Sequence, residues 1–371
     1  MLRRIRTIDR LLEGRLNRRQ FNDALGLFGL VAVTVPMVSR PLSAAERLLL
    51  FTWGGLEDPS LFPEYAAKHG EIDATFYGDE YEAIEKLRAG YEADIVGPCI
   101  DVMPRWMTTG LQPIDESRLL HLDEQFASIR DAAPSFYDGE RYYVSMYWGF
   151  SSFVYRTDLT DIKPEDESWT LLFEEKYKGR MAIWDSTDAV IPHASLALGY
   201  FDDPYRPDGE HLERVAEMVR KQRDLVRFYF SSVTEAVQAI ASGEVVISYA
   251  WSDFLSHLKT AGVPFKWANP KEGLISYNCG LARANRKGNE EAQYDFINAS
   301  TTADVGKFLI EVFNLGASNK TSFDMVDPAL LKELELSTPE ESLTRSHPFV
   351  YVPPELKQKH IEMFDEIKAG A

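Results

Sequence analysis

Four aromatics (Trp53, Trp184, Trp251, Tyr277), four aspartates (Asp101, Asp185, Asp188, Asp253) and two cysteines (Cys99, Cys279) are the side chains here best suited to holding a small molecule. Aromatic rings offer an apolar face to alkyl groups and a negative quadrupole to cations. Aspartates supply the opposite charge and accept hydrogen bonds from ammonium groups. The combination suits an amine, a quaternary ammonium or another cation. The seven histidines show no HxxxH spacing and the cysteines no CxxC, so no metal site and no cofactor are expected. GxSxG, P-loop and GxGxxG motifs are absent. An enzyme with Cys99 as nucleophile would need a neighbouring base, and no histidine stands at a predicted strand end. No catalytic residue is assigned.

The elements that carry these residues follow from periodicity. "RLLLFTW" (47–53) reads as a buried strand; Asp58 and Pro59 open the next helix, whose apolar face is Leu61, Phe62, Tyr65 and Ala66 and whose end is Gly70. "IDATFY" (72–77), "ADIVGP" (93–98), "RMAIWD" (180–185) and "VVISYAW" (245–251) are further strands. Helices are predicted at "DEYEAIEKLRAG" and at 232–244, where Ser232 and Glu235 have capping-box spacing. The apolar stretch 142–158 has no helical period and could cross between two α/β units, and 158–168 is a surface loop. Strands alternating with amphipathic helices imply parallel sheets with helices on their faces. In such sheets ligands bind beyond the carboxyl ends of strands. Four such ends are Trp53–Gly55, Gly97–Asp101, Trp184–Asp188 and Trp251–Asp253, and a fifth stretch, Tyr277–Gly280, precedes or opens another strand. Of the five, four carry an aromatic residue, three an aspartate and none a basic residue. Arg105, Arg141, Arg156 and Arg180 are expected to be solvated or paired with acids, and Trp106, Trp148, Trp169 and Trp267 to serve packing.

The first 45 residues read differently. Eight arginines lie in the first 40 residues, followed by an apolar run from Ala24 to Val38 and small residues at 43–45. That order is the order of a secretory signal, and "NRRQF" (17–21) has the form of a twin-arginine export motif. About 15 apolar residues are too few to span a bilayer comfortably. The formal charge is −18 for the whole chain and −23 after residue 45. Such a charge argues against nucleic acid or an anionic membrane as partner.

The chain resembles the periplasmic substrate-binding proteins of ABC importers, in particular the spermidine/putrescine-binding branch. "EKYKGRMAIWD" and "PKEGLISYNCGLA" are the most specific carriers of the likeness, which runs from about residue 47 to the C-terminus. It implies an α/β fold of two lobes (type II-like), each a mainly parallel sheet flanked by helices, with a hinge between them. The expected division is an export signal over 1–45, one lobe from 46–145 plus 279–325, and a second from 146–278 plus 326–371. The resemblance further implies a periplasmic protein, a monomer suited to lobe closure. It would take a small cationic or zwitterionic solute, polyamine-like or another amine, and deliver it to an ABC permease in the inner membrane. Trp53 and Trp251 match ligand-contacting tryptophans of the family and Tyr277 a second stacking aromatic. The contact positions after "GRMAIWD" align with Ser186 and Ala189, beside Asp185 and Asp188.

At one point the pattern departs. Cys279 stands where polyamine binders usually carry an amine-binding aspartate, and Cys99 where they usually have serine. Losing that carboxylate removes a charge-assisted bond worth about 1.5–3 kcal/mol, so another acid must replace it or the ligand differs. The cysteines could be separate small residues shaping a different pocket, a disulfide fixing two loops, or a soft-metal or thiol-reactive site. A ligand of another class, such as an anion, phosphonate, thiamine or iron, is the alternative, favoured by the glycines before a helix in "TWGGLEDP".

Overall fold

The computed structural model describes residues 47–252, 254–334 and 336–370, so the expected export signal and Asp253 lie outside the described residues. Strand β1 is Leu49–Trp53. Asp58 caps as expected, accepting from Ser60 N, but what it caps is a short 3-10 turn, Pro59–Leu61. The α-helix α1 (Pro63–His69) starts only after it. Pro63 has no N–H to donate and its ring would collide with the carbonyl four residues back, so the first turn cannot continue. β2 (Asp73–Tyr77) leads into α2 (Glu80–Arg88), capped by the Asp79 side chain, and then into β3 (Ile95–Val96). Beyond β3 the chain passes close to β1: a Cβ at Gly97 would lie 2.1 Å from Thr52 Oγ1, so only glycine fits.

The long apolar stretch is β4 (Val144–Arg156), with every one of its 13 residues buried. A strand covered on both faces shows no alternation, which explains its pattern. The second α/β run comprises β5 (Met181–Trp184), α3 (Thr187–Ala197), α4 (Glu210–Arg223), β6 (Phe228–Phe230), α5 (Val233–Ser242) and β7 (Ile247–Trp251). Ser232 does precede α5, but its hydroxyl makes no capping bond, so the expected capping box is not formed. β8 (Leu274–Arg283), α6 (Glu290–Ser300), α7 (Ala303–Phe313) and α8 (Pro354–Ala369) complete the main elements.

These strands form one sheet in the order β2-β1-β3-β8-β4-β7-β5-β6. β2, β1 and β3 are mutually parallel, as are β7, β5 and β6. β8 and β4 run antiparallel between the two trios and join them. Each end of the sheet is therefore a parallel unit with helices in its crossovers, the mixed α/β, two-lobe architecture expected. Residues 277–280 lie in the middle of β8, not at its start, with Tyr277 opposite Gly149.

Packing divides in the same way. Leu48, Ile95, Leu281, Phe296 and Leu309 belong to one core beside β1, β3 and β8. Phe153, Trp169, Ile183, Val219, Ile247 and Phe364 belong to another around β5 and β7. A smaller cluster between them holds Trp148, Phe150, Leu274 and Ile310. Trp106, Trp148 and Trp169 are fully buried and Trp267 half-buried, consistent with packing roles.

Candidate ligand-binding site

Three acids converge where β2 and β3 end. Asp79 caps α2, Glu80 begins it, and Asp101 lies in the 3-10 turn Ile100–Val102 just past β3. Glu80 is buried and accepts hydrogen bonds from Cys99 N at 2.9 Å and from Trp106 Nε1 at 2.7 Å. Burial, and then the charge of Asp101, push its carboxyl well above the usual range. Asp101 is pushed up to about 7, first by burial and then by the charge of Asp188. Asp79 is raised by burial, against the hydrogen bond it accepts from Glu82 N. Among the described residues, none of the three forms a salt bridge with a cation.

Asp188 approaches from the other half of the sheet. It sits in the first turn of α3, positioned by Ser186, whose hydroxyl caps the helix by accepting from Asp188 N at 3.1 Å. Its Oδ1 lies 2.5 Å from Lys357 Nζ, on the first turn of α8. The Lys357 side chain is only 5% exposed and its ammonium stands 4.8 Å from the centroid of the Tyr81 ring, which belongs to α2. The Arg105 guanidinium lies 4.7 Å from the same ring. Burial, followed by the charges of Asp188 and Asp101, raises the Tyr81 hydroxyl far above its ordinary value. Tyr205 is raised too, by burial first, with Asp101 and Asp188 contributing. Asp79, Tyr81, Asp101, Asp188, Tyr205 and Lys357 thus share one electrostatic environment across the two halves.

Aromatic residues stand at strand ends in both halves of the sheet. Trp53 packs edge-on to Tyr77 at 4.9 Å, and the Tyr77 hydroxyl donates to Gly97 O at 2.6 Å. Trp184 and Trp251 meet at 4.9 Å in a T-shaped pair, with Tyr249 and Phe230 against them. Tyr277 is half-buried; a Cβ at Gly149 would lie 2.5 Å from its hydroxyl oxygen, so the glycine gives the ring room to lie over β4.

Of the alternatives for the cysteines, the disulfide is the one present: Cys99 and Cys279 are joined, with Cα atoms 3.9 Å apart. Both are buried, and together they tie the turn carrying Asp101 to β8. Neither sulfur is then a thiolate available to attack a substrate or to ligate a soft metal.

The structure thus draws together Asp101 with Asp188, Trp184 with Trp251, and Cys99 with Cys279. Asp185 turns away: it is 2.7 Å from Lys368, at the far end of α8. Lys357 and Lys368 are 11 positions apart, roughly 16 Å of helix, so the two aspartates face different surroundings. Sequence reasoning passed over Asp79, Glu80 and Tyr81, although "GDEY" directly follows a strand and the strand-end rule would have included it. Lys357 had no such signal, because its contact with Asp188 spans 169 residues. Arg105, Arg141 and Arg156 do pair with Glu85, Glu116 and Asp158. A shallow hollow bordered by Phe150, Asn269, Lys271 and Arg345 shares no residue with this cluster and no acid borders it.

Residues 61–335 match the sequence model of a family described as bacterial extracellular solute-binding protein. The chain belongs to this family. A curated relative, the spermidine/putrescine-binding periplasmic protein of Salmonella typhimurium, is 23% identical over 322 residues, covering 85% of this solute-binding protein and 89% of the relative. Among solved structures, the spermidine/putrescine ABC transporter substrate-binding protein of Streptococcus pneumoniae superposes with a TM-score of 0.72 at 17% identity, covering 87% of this chain and 98% of that one. A periplasmic binding protein of A. tumefaciens B6 in complex with glucopine gives a TM-score of 0.69 at 18% identity, covering 87% and 99%. Among the described residues of this solute-binding protein, no helix is long and apolar enough to cross a membrane.

Proposed function

We propose that this solute-binding protein captures a small cationic or zwitterionic amine between its two halves, in the periplasm, and delivers it to an ABC permease. The observation that carries this reading is the set of unbridged acids, Asp79, Glu80 and Asp101, at the ends of β2 and β3 and facing Asp188. Carboxylates drawn partly or wholly out of water without a salt bridge are costly, and a ligand ammonium would relieve that cost. Asp101 then takes the part of the aspartate that Cys279 replaces. The names of the spermidine/putrescine-binding relatives support the amine class, and the glucopine complex shows that the fold also serves other solutes. The two cores, bridged by β4 and β8, support lobes of about 46–145 plus 279–325 and 146–278 plus 326–371. The arginine-rich and apolar order of residues 1–45 supports export by the twin-arginine route.

The test is a thermal-shift screen of residues 46–371 against amines, betaines, amino acids, phosphonates and metal ions. A ligand at 100 times its Kd stabilises the native state by about 2.7 kcal/mol. Amine hits that disappear in Asp101→Asn support the reading. Stabilisation by phosphonates or metals alone would refute the ligand class.

A further inference from the structure

We infer that Lys357 is a built-in second ammonium that sets the specificity of the site, restricting it to solutes carrying a single ammonium group. This rests on the amine reading above and narrows it. A diamine needs an acid at each end. Here one of the two facing acids, Asp188, already holds an ammonium at 2.5 Å, supplied by the chain itself. That ammonium is held as a ligand amine would be: its stem is buried, a carboxylate oxygen accepts from it, and the face of Tyr81 lies 4.8 Å away. Lys357 also reaches from α8, which packs with α3 and α4, to a ring on α2, so it stands between the two halves where a ligand would stand.

What is left for a ligand is asymmetric. Asp79 and Asp101 remain without a salt bridge and accept one ammonium. The Asp188 end is already neutralised and presents a cation, which repels a second ligand ammonium and tolerates an alkyl end or a carboxylate. A monoamine or an amino acid whose ammonium is set off from its carboxylate fits this arrangement, and a diamine of the same length does not.

Calorimetric titration with three four-carbon probes tests this: butylamine, 4-aminobutanoate and 1,4-diaminobutane. The wild type should bind the better of the first two at least about tenfold more tightly than the diamine, the scale of one charge-assisted bond. Lys357→Met frees Asp188, so the ratio should swing toward the diamine by about tenfold or more, whereas Lys357→Arg should keep the wild-type order. The double variant Lys357→Met with Asp188→Asn removes both charges and should return the wild-type ratio. A merely structural role for Lys357 would not produce that reversal. A diamine bound as tightly as the monoamine by the wild type overturns the inference, even if Lys357→Met does not fold. A ratio unmoved by Lys357→Met, or a swing that persists in the double variant, also overturns it. If none of the three probes binds and an anion does, the amine reading itself fails; if amines bind and the diamine is preferred, only the role of Lys357 fails.

Discussion

On the β1–β3 side of the sheet, Asp79, Glu80 and Asp101 are partnered by backbone N–H groups and an indole. On the β5–β7 side, Asp185 and Asp188 are each met by a lysine of the same helix, α8. The first group has carboxyls raised by burial, with no salt bridge to lower them. The second has its charge answered within the chain. Acids that a fold retains without a salt bridge at the meeting of two halves, here with only the more distant charge of Lys357 acting on Asp79 and Asp101, mark where an incoming positive charge would be received. The chain holds that arrangement in place with the Cys99–Cys279 disulfide and the Glu80 hydrogen bonds.

The comparison can be broken first at the disulfide. Replacing both cysteines by alanine should cost about 2–5 kcal/mol of unfolding free energy, read by denaturant titration, and should weaken ligand binding because the Asp101 turn is no longer tied to β8. Unchanged stability would mean that the turn is held by other contacts. Next is Asp101→Asn, which should reduce amine affinity by about 1.5–3 kcal/mol while leaving the unliganded protein as stable or more stable, since it removes a half-buried carboxyl whose charged form its surroundings disfavour. A variant that bound normally would move the receiving acid elsewhere.

The pH dependence sharpens the same contrast. Between the ordinary carboxyl value of 3.8 and about 7, native Asp101 keeps a proton that the unfolded chain has lost. Its contribution to stability therefore falls as pH rises through that window. Amine affinity should run the opposite way, because the ligand ammonium competes with that proton: about tenfold higher at pH 8 than at pH 6, or about 1.4 kcal/mol. Asp101→Asn should flatten both profiles. The smallest effect is expected at the already paired acid. Asp185→Asn should change stability by about 0–1 kcal/mol, as for an exposed ion pair, and affinity less than twofold. A larger loss of affinity would place Asp185 among the ligand contacts.

Much of this arrangement was legible in the chain. Periodicity found the first parallel trio, two strands of the second (β5 and β7) and the crossing strand at 142–158, because each is a local pattern of burial; the three-residue β6 was too short to show one. The strand-end rule then found Asp101 and Asp188 without knowing that they face one another. What escaped was of two kinds. Pro63 splits a helix whose apolar face alone looked continuous, a steric event that a hydrophobic pattern does not record. Residues 277–280 read as a strand start, but their partners on β4 are more than 120 residues away in the chain. Lys357 escaped for the same reason: no basic residue follows a strand end, and the lysine arrives from the C-terminal helix through tertiary packing. The sequence told which end of the site is acidic but not that one acid is already occupied.

The position of β8 has a consequence for how the chain is made. It fills the gap between β3 and β4, yet it is translated long after both, and Cys279 follows Cys99 by 180 residues. A nascent chain that has emerged only as far as β4 carries β1, β2 and β3 with the edge of β3 bare and one thiol without a partner. Local helices can form at that stage, but closing the first half must wait for a contact of large sequence separation, the kind that slows folding. The acids proposed to receive the ligand lie in the first third of the chain, yet they are among the last to be set in place.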